Sequence, residues 1–490
     1  MTEVSIGAQA LGRFRPIVGG GAINSAAQWA EATRKRLAGR IVWNVNSTPA
    51  GGGVAEMLQS LLPYVRGAGI DARWVVIRGT PAFFRVTKRL HHALHGSVGD
   101  GSSLGEDARA IYEATMRDNA ADLRAIIRPR DVVLLHDPQT AGLAPHLIQA
   151  GALVIWRCHI GHDSTNAEVE RGWALLAPYL RDVPAFVFSR RAYVPEYCDH
   201  GKSTLITPSI DAFSPKNQEL DDATVRALLV RAGLVHGSAG SGRAQFVRED
   251  GSAGRVERQA ELISAAGPPA WNTPLVVQVS RWDPLKDPAG VVRGFAALGN
   301  GAAPGGAELV LAGPNVQAVA DDPEGATVFD EVVATWKQLP DAVRRRIHLA
   351  SLPMVDVQEN AAIVNALQRH ASVVVQKSLH EGFGLTVTEA MWKGRPVVAS
   401  AVGGIQDQIA DGVDGSLLKD PTDLVAFGTA VQRLLQEPAF ARQLGERAHA
   451  RVAKQFLDLH HLARFAQLID GLDRAYEAAG RPARFTAAYT

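Results

Sequence analysis

Short, unbroken apolar runs alternate with helical patterns along nearly the whole chain, and this alternation limits the fold more than any other feature. In the first half the runs fall at residues 41–46, 74–77, 132–136, 153–159, 186–189 and 205–208. In the second half they fall at 275–280, 308–312, 348–352, 372–376 and 397–400. They are apolar throughout rather than at every second residue, as strands of a parallel sheet are when helices cover both faces. Strand–helix alternation in both halves predicts an α/β protein built from two doubly wound domains. A length of 490 residues suits two such cores. The break is expected near Ile210-Asp-Ala-Phe-Ser-Pro215-Lys-Asn217, which divides the chain into residues 1–212 and 213–456. Residues 233–254, rich in Gly, Ser and charge, read as a surface insertion, and 299–306 as a smaller loop of that kind. Regular apolar spacing predicts a helix over about 457–479, whereas the first 38 residues carry little signal.

Charge and composition exclude several classes. Lys plus Arg number 51 and Asp plus Glu 50, a net charge of +1. No basic run or aromatic-basic stripe appears, which argues against a nucleic-acid partner. No signal-like stretch or apolar run long enough to cross a membrane is present, so a cytoplasmic protein with no membrane partner is expected. The two cysteines, Cys158 and Cys198, are too few for a disulfide framework and lack metal-ligand spacing. No G-x-G-x-x-G occurs, which removes the main support for a nicotinamide enzyme. No Asp-x-Asp pair occurs either, so no metal or other cofactor is expected.

In doubly wound sheets ligands bind beyond the carboxyl ends of the strands, and the chemical residues cluster there. Glu381-Gly-Phe-Gly-Leu-Thr-Val-Thr-Glu389 follows an apolar strand and opens a helix. Gly382 and Gly384 let backbone N–H groups come close to a phosphate or sugar oxygen, and the helix N-terminus favours an anion. Glu381 on the loop suits sugar hydroxyls, and Glu389 lies two turns into the helix. Ordinary acidic capping of a helix would have the same spacing. Arg281 and Lys286, five apart on a Pro-containing loop after another strand, suit a diphosphate, one as a fork and one as a point charge. Two solvated surface cations are the plain alternative. Asn46-Ser-Thr-Pro-Ala-Gly51-Gly52-Gly53 is a further strand–glycine loop–helix junction. His136-Asp137-Pro138 and Arg157-Cys158-His159 each place a histidine where a strand stops, and such a histidine serves structure as often as chemistry.

The Arg281/Lys286 pair, the Glu381–Glu389 motif, Gly394-Arg-Pro-Val-Val and Val402-Gly-Gly404-Ile-Gln406 resemble the family 4 retaining glycosyltransferases of GT-B fold. Val42-Trp-Asn-Val-Asn46, the triple glycine, His136-Asp-Pro-Gln139, Trp156-Arg-Cys-His159 and Pro208-Ser-Ile-Asp211 narrow the resemblance to the trehalose glycosyltransferring synthases and the related trehalose phosphorylases. Together the similarity spans roughly residues 40–420. It implies two Rossmann-like domains facing a central cleft: an N-terminal acceptor domain, joined by a C-terminal helix of about 457–490, and a C-terminal nucleotide-sugar donor domain. It implies that Arg281 and Lys286 bind donor phosphates, Glu381 glucosyl hydroxyls and Glu389 the ribose. Gly382, Phe383, Gly384 and Leu385 would give backbone contacts to the donor. His159 would sit by the reacting glucosyl unit, with Asp137 and Arg157 near the substrate and Gly52 and Gly53 near phosphate and acceptor. The implied reaction is transfer of glucose from a nucleoside diphosphate glucose to glucose, giving α,α-trehalose reversibly and with retention. The partners would be small sugars and sugar nucleotides, and the resemblance leaves room for a homodimer. One departure falls on the acceptor side: an acidic residue often follows the Cys-His-Ile run directly, but here Gly161 and His162 precede Asp163. Phosphorolysis of trehalose, transfer to another acceptor, and a non-catalytic sugar-nucleotide binding protein stay open as readings.

Overall fold

The computed structural model describes residues 1–49, 52–298, 304–316 and 324–479. The chain divides into two compact units, Met1–Ser209 with Phe456–Thr490, and Ile210–Gln455. The expected loop at 299–306 lies mostly outside the described residues, as does Gly51.

The first unit is built on a seven-stranded sheet. Its strands are β1 (Thr2–Val4), β2 (Val42–Asn46), β3 (Ala72–Val76), β4 (Val132–His136), β5 (Leu153–Cys158), β6 (Ala185–Phe188) and β7 (Ser203–Leu205). They lie in the order β1-β3-β2-β4-β5-β6-β7, all parallel except the antiparallel edge strand β1. The strand order reverses between β2 and β4. The period of two sorts the side chains into two cores. Trp43, Val45, Val133, Leu135, Val154 and Trp156 face one. Val42, Val132, Leu134, Leu153 and Ile155 face the other, beside Phe465, Leu468, Ile469 and Leu472 of the terminal helix Asp458–Ala479. Those four residues share one stripe of that helix.

Polar contacts at each end of the terminal helix fix its position. Ser209 Oγ donates to Asp458 Oδ1 at 2.7 Å. Asp473, with a side chain only 1% exposed, accepts from Arg40 Nη1 at 2.7 Å, Arg130 Nη2 at 3.1 Å and Arg36 Nη1 at 3.3 Å. Burial alone would raise its carboxyl pKa, but the guanidinium groups of Arg40, Arg130 and Arg36 outweigh burial and hold it below the ordinary 3.8. A carboxylate depressed in the folded state adds stability above its unfolded pKa of about 3.9, and that stability is lost as pH falls through the folded value. Asp473→Asn is therefore expected to lower stability at pH 7 by about 2 kcal/mol. In urea titrations the gap between variant and parent should narrow as the pH drops below about 4. A gap that is constant with pH would mean that Asp473 contributes shape rather than charge.

The second unit repeats the plan. An antiparallel hairpin, β8 (Gln245–Val247) and β9 (Ala253–Arg255), stands apart from a seven-stranded sheet. The sheet contains β10 (Glu261–Ile263), β11 (Leu275–Val279), β12 (Glu308–Pro314), β13 (Ile347–Leu352), β14 (Val373–Gln376), β15 (Val397–Ser400) and β16 (Ser416–Leu418). Their order is β10-β13-β12-β11-β14-β15-β16, again parallel but for the edge strand β10. Here the order reverses between β11 and β14, the arrangement in which dinucleotide folds place their ligand crevice.

Several expectations need correction. The run at 205–208 is not the strand; pairing covers Ser203–Leu205 instead, and Pro208 has no N–H to extend it. The insertion at 233–254 is more than a loop, because it supplies most of the β8–β9 hairpin. Phe246 is buried there, and Arg248 Nη1 reaches Asp356 Oδ1 at 3.2 Å. The three-residue strands β1, β10 and β16 have no counterpart among the apolar runs, since pieces so short bury too little to mark themselves.

Candidate functional site

In the second unit, the loops after β11 and β14 form one cross-braced structure at the point where the strand order reverses. Trp282 is buried, donates from Nε1 to Pro314 O at 2.9 Å and packs on Phe329. Asp283 caps the turn Pro284–Lys286 through Leu285 N at 2.8 Å and takes Arg281 Nη2 at 3.3 Å. Asp287, in the left-handed region at φ 46°, caps the helix Pro288–Ala296 through Gly290 N at 3.0 Å. Its other carboxylate oxygen takes Lys377, whose side chain is fully buried. Gln278 ties the two loops through its amide: Nε2 donates to Lys286 O at 3.1 Å, and Oε1 accepts from Lys377 N at 3.3 Å. Leu379 N adds a bond to Leu285 O at 2.8 Å.

This bracing brings Lys286 Nζ onto Glu381 Oε2 as an ion pair, with Ser378 Oγ 3.4 Å from the other carboxylate oxygen. Arg281 is at the rim, its side chain 58% exposed. Gly384, at φ 85°, is the N-cap of the helix Leu385–Trp392, a conformation that favours glycine. The first turn of that helix presents the backbone N–H groups that a helix leaves unpaired. Phe383 O and Gly384 O both accept from Gln408 Nε2, and Gly382 O accepts from Gly404 N at 2.9 Å. A Cβ at Gly404 would stand 2.6 Å from the Phe383 ring, so the second glycine loop is shaped to carry the first. Glu389 is in the same helix, almost buried, with Lys216 Nζ 3.6 Å from Oε1. Beneath it Lys393 Nζ donates to Gln368 Oε1 at 2.8 Å, Asn217 Oδ1 at 3.1 Å and Glu389 O at 3.2 Å. Burial lowers the Lys393 pKa to about 7, with Glu389 opposing that shift.

In the first unit the polar residues lie at the ends of β2, β4 and β5, again beside the reversal of strand order. Gly52 caps the helix Gly53–Gly67 in extended conformation, and a Cβ added at Gly52 or Gly53 would meet nothing within 4 Å. His136 and His159 are joined, with Nδ1 of the first 3.2 Å from Nε2 of the second, and His136 Nε2 lies 3.1 Å from Asn44 Oδ1. Burial lowers the His136 pKa to about 3, the Arg157 charge adding to it, and lowers that of His159 well below its usual value. With both rings neutral, the amide oxygen sets the tautomers. His136 donates from Nε2 to Asn44 and accepts at Nδ1 from His159 Nε2–H, which leaves His159 Nδ1 as an acceptor.

Asp137, at φ 63°, accepts from His159 N at 2.7 Å, and its carbonyl takes Trp156 Nε1 at 3.1 Å. Burial raises its pKa to about 7, opposed by the His159 N–H and by Arg157. Arg157 does not join this group at the surface. Its guanidinium is turned into the interior, 1% exposed, against His461. Asp163, displaced by Gly161 and His162, pairs with Arg190.

The structure thus brings Lys286 to Glu381, and Asp137 to His159. It leaves Arg281 on the rim and turns the Arg157 guanidinium inward onto His461. Gln278, Lys377, Asp287 and Gln408 are supports that the sequence motifs did not single out, and Asn44, within the Val42–Asn46 motif, was given no role there. Each sits beside a motif residue, but its partner is distant in the chain, so no local spacing points to it.

Two doubly wound sheets in one chain, each with its polar residues at the carboxyl ends beside the reversal, define a glycosyltransferase of GT-B fold. Residues 263–451 match the family described as glycosyl transferases group 1, and residues 44–195 match the trehalose synthase N-terminal domain. A trehalose synthase of Pyrococcus horikoshii is 34% identical over 472 residues, covering 96% of this chain and 98% of that one. The chain belongs to the trehalose synthase family. A trehalose phosphorylase of Pleurotus pulmonarius is 25% identical over 466 residues, 91% of this chain but only 58% of that protein. A solved α,α-trehalose-phosphate synthase (UDP-forming) from Burkholderia vietnamiensis has the same fold, with a TM-score of 0.66 at 15% identity over 91% of this chain and 99% of that one. Among the described residues no helix is long and apolar enough to cross a membrane.

Proposed function

We infer that the protein is a retaining glucosyltransferase of family 4 that makes α,α-trehalose from a nucleoside diphosphate glucose and glucose, reversibly. The observation that carries this reading is the Lys286–Glu381 pair, braced at the reversal of strand order and next to a helix N-terminus in a chain of this family. Lys286 and Arg281 neutralise the donor diphosphate, helped by the backbone N–H groups of Gly382 to Leu385. Glu381 takes the glucosyl hydroxyls and Glu389 the ribose. His159, with Nδ1 as an acceptor, takes a hydroxyl of the glucosyl unit, and Asp137 holds the His159 backbone in place. Gly52 and Gly53 leave room near phosphate and acceptor. Arg157 supports this group from beneath.

In the step itself, the bond from the glucosyl anomeric carbon to the leaving phosphate oxygen breaks. A bond to the anomeric oxygen of the acceptor glucose forms on the same face. A leaving phosphate oxygen takes the acceptor's proton, so no separate base is needed. Metal-free neutralisation by Arg281, Lys286 and the amides suffices for the charge balance.

The test is NMR of the protein with trehalose and, in separate tubes, UDP, ADP, GDP or inorganic phosphate. Nucleotide-dependent release of glucose and sugar nucleotide is the expected result, and it names the nucleotide. Glucose 1-phosphate formed only with phosphate would make the protein a phosphorylase, a reading that the partial coverage of the phosphorylase relative does not favour. Nucleotide binding without turnover in any tube would leave a binding protein.

A further inference from the structure

The face of the first sheet covered by the helix Asp458–Ala479 is not completely filled. A cavity of about 80 Å³ lies between that helix, the helices Arg15–Arg36 and Gly53–Gly67, and strands β2, β4 and β5. Most of its wall is apolar, as at Leu58, Leu134 and Phe465, whereas Asn44, His136, Arg157 and His461 line one end.

Arg157 is the anomaly at that end. Its Nη1 is 2.8 Å from His461 Nε2, and its guanidinium carbon is 5.2 Å from the centre of the Phe465 ring. His461 Nδ1 lies 2.9 Å from Thr207 O, so that ring is the neutral Nδ1–H tautomer and accepts from the arginine. Nη2 reaches Ile206 O only at 3.4 Å, and Nε, fully buried, has no partner at all. No carboxylate lies within ion-pair distance of this guanidinium among the described residues. Asp137 acts on it electrostatically from beyond ion-pair distance, but protein interiors rarely leave a buried guanidinium without a direct anionic partner, because burying such an ion is costly. Asn44 supplies a second unused donor, since Oδ1 goes to His136 and Nδ2 has no partner among the described residues.

We propose that this cavity is a binding site for a small carboxylate-type monoanion, the size of formate, bicarbonate or acetate. A carboxylate placed on the Nε–Nη2 edge of Arg157 takes the orphan Nε–H and replaces the long bond at Nη2 with a short, charge-assisted one. Asn44 Nδ2 is a donor at the same polar end. The methyl group of acetate would meet the apolar wall. The cavity has room for a small anion of this kind beside the guanidinium. Its polar end shares Asn44 and His136 with the His159 chain, but the proposal does not rest on the function inferred above. Its occupant would bridge β5 to the terminal helix.

The test is a titration of the full-length protein with sodium acetate, formate or bicarbonate against sodium chloride at matched ionic strength. Binding is followed by the line width of ¹³C-labelled acetate and by Tm. The expected result is saturable broadening and a rise in Tm with the carboxylates that chloride does not reproduce. Arg157→Leu should abolish both. Because that variant risks misfolding, Ala466→Leu is the second arm. It fills the cavity without touching the guanidinium, and should remove the acetate response while the protein stays folded. An Ala466→Leu protein that still responds like the parent would overturn the proposal. So would a parent that shows no saturable binding, or a crystal grown in acetate that holds only water there.

Discussion

Lys286→Ala is expected to lower turnover about 10²–10³-fold without loss of fold, the usual cost of removing one preorganised contact to charge that develops in the transition state. The magnitude follows from where the ammonium sits. Its stem is held by the capped turn Pro284–Lys286 and by the Gln278 amide on its carbonyl, and its head by Glu381. The side chain is 17% exposed, open enough to meet a ligand and sheltered enough to escape much screening. The substitution also takes the Lys286 cation from the Glu381 carboxylate, 8% exposed, the group proposed above to take the sugar hydroxyls. The loss should appear mainly in kcat, with the circular dichroism spectrum unchanged. Turnover within a few-fold of the parent would remove Lys286, and the assignment built around it, from the site.

The largest expected effect on stability belongs to a residue that does no chemistry. Lys377 follows β14, has a side chain with no exposure, and is paired with Asp287. Lys377→Ala takes away the close partner of that carboxylate and leaves it only Arg293 Nη2 at 4.0 Å. Breaking a buried pair by removing one partner costs about 3–5 kcal/mol, far more than the net worth of the pair, because the remaining charge loses its close partner while largely out of water; the Arg293 contact puts the loss here at the lower end. Asp287 cannot swing away to solvent without giving up the cap of the helix Pro288–Ala296. Urea unfolding should show the loss as a lower midpoint. Adding Asp287→Asn to Lys377→Ala should cost less than the sum of the two single changes, since the second removes the remaining charge. Strict additivity would mean that the two side chains do not work as a pair.

Much of this was legible in the chain before any coordinates. The central strands of both sheets announce themselves, because a parallel strand buried on both faces has to be an apolar run. The motif residues announce themselves too, because a strand, a glycine turn and a helix written consecutively place backbone N–H groups at a strand's carboxyl end whatever the rest of the fold does. Glu381 was singled out on that pattern, Lys286 on a Pro-containing loop after a strand, and His159 where a strand stops. The edge strands β1 and β10 were not, since three residues beside a single neighbour leave no periodic trace. The hairpin β8–β9 was hidden by the glycine and charge around it, and Phe246 alone marks its buried side.

The sequence by itself determined which segments become parallel strands and which loops at their ends carry cations, carboxylates and glycines, because these depend on residues close together in the chain. The tertiary structure alone decided how those loops are held. Lys286 meets Glu381, Asp287 meets Lys377, and His159 receives its tautomer from Asn44 through His136, across separations that no spacing rule spans. It also turned the Arg157 guanidinium inward onto His461, on the face of the sheet that carries Asn44 and His136. In a pleated strand Arg157 faces away from Cys158, and what meets it there, His461 and Phe465 of the terminal helix, comes from a segment about 300 residues away.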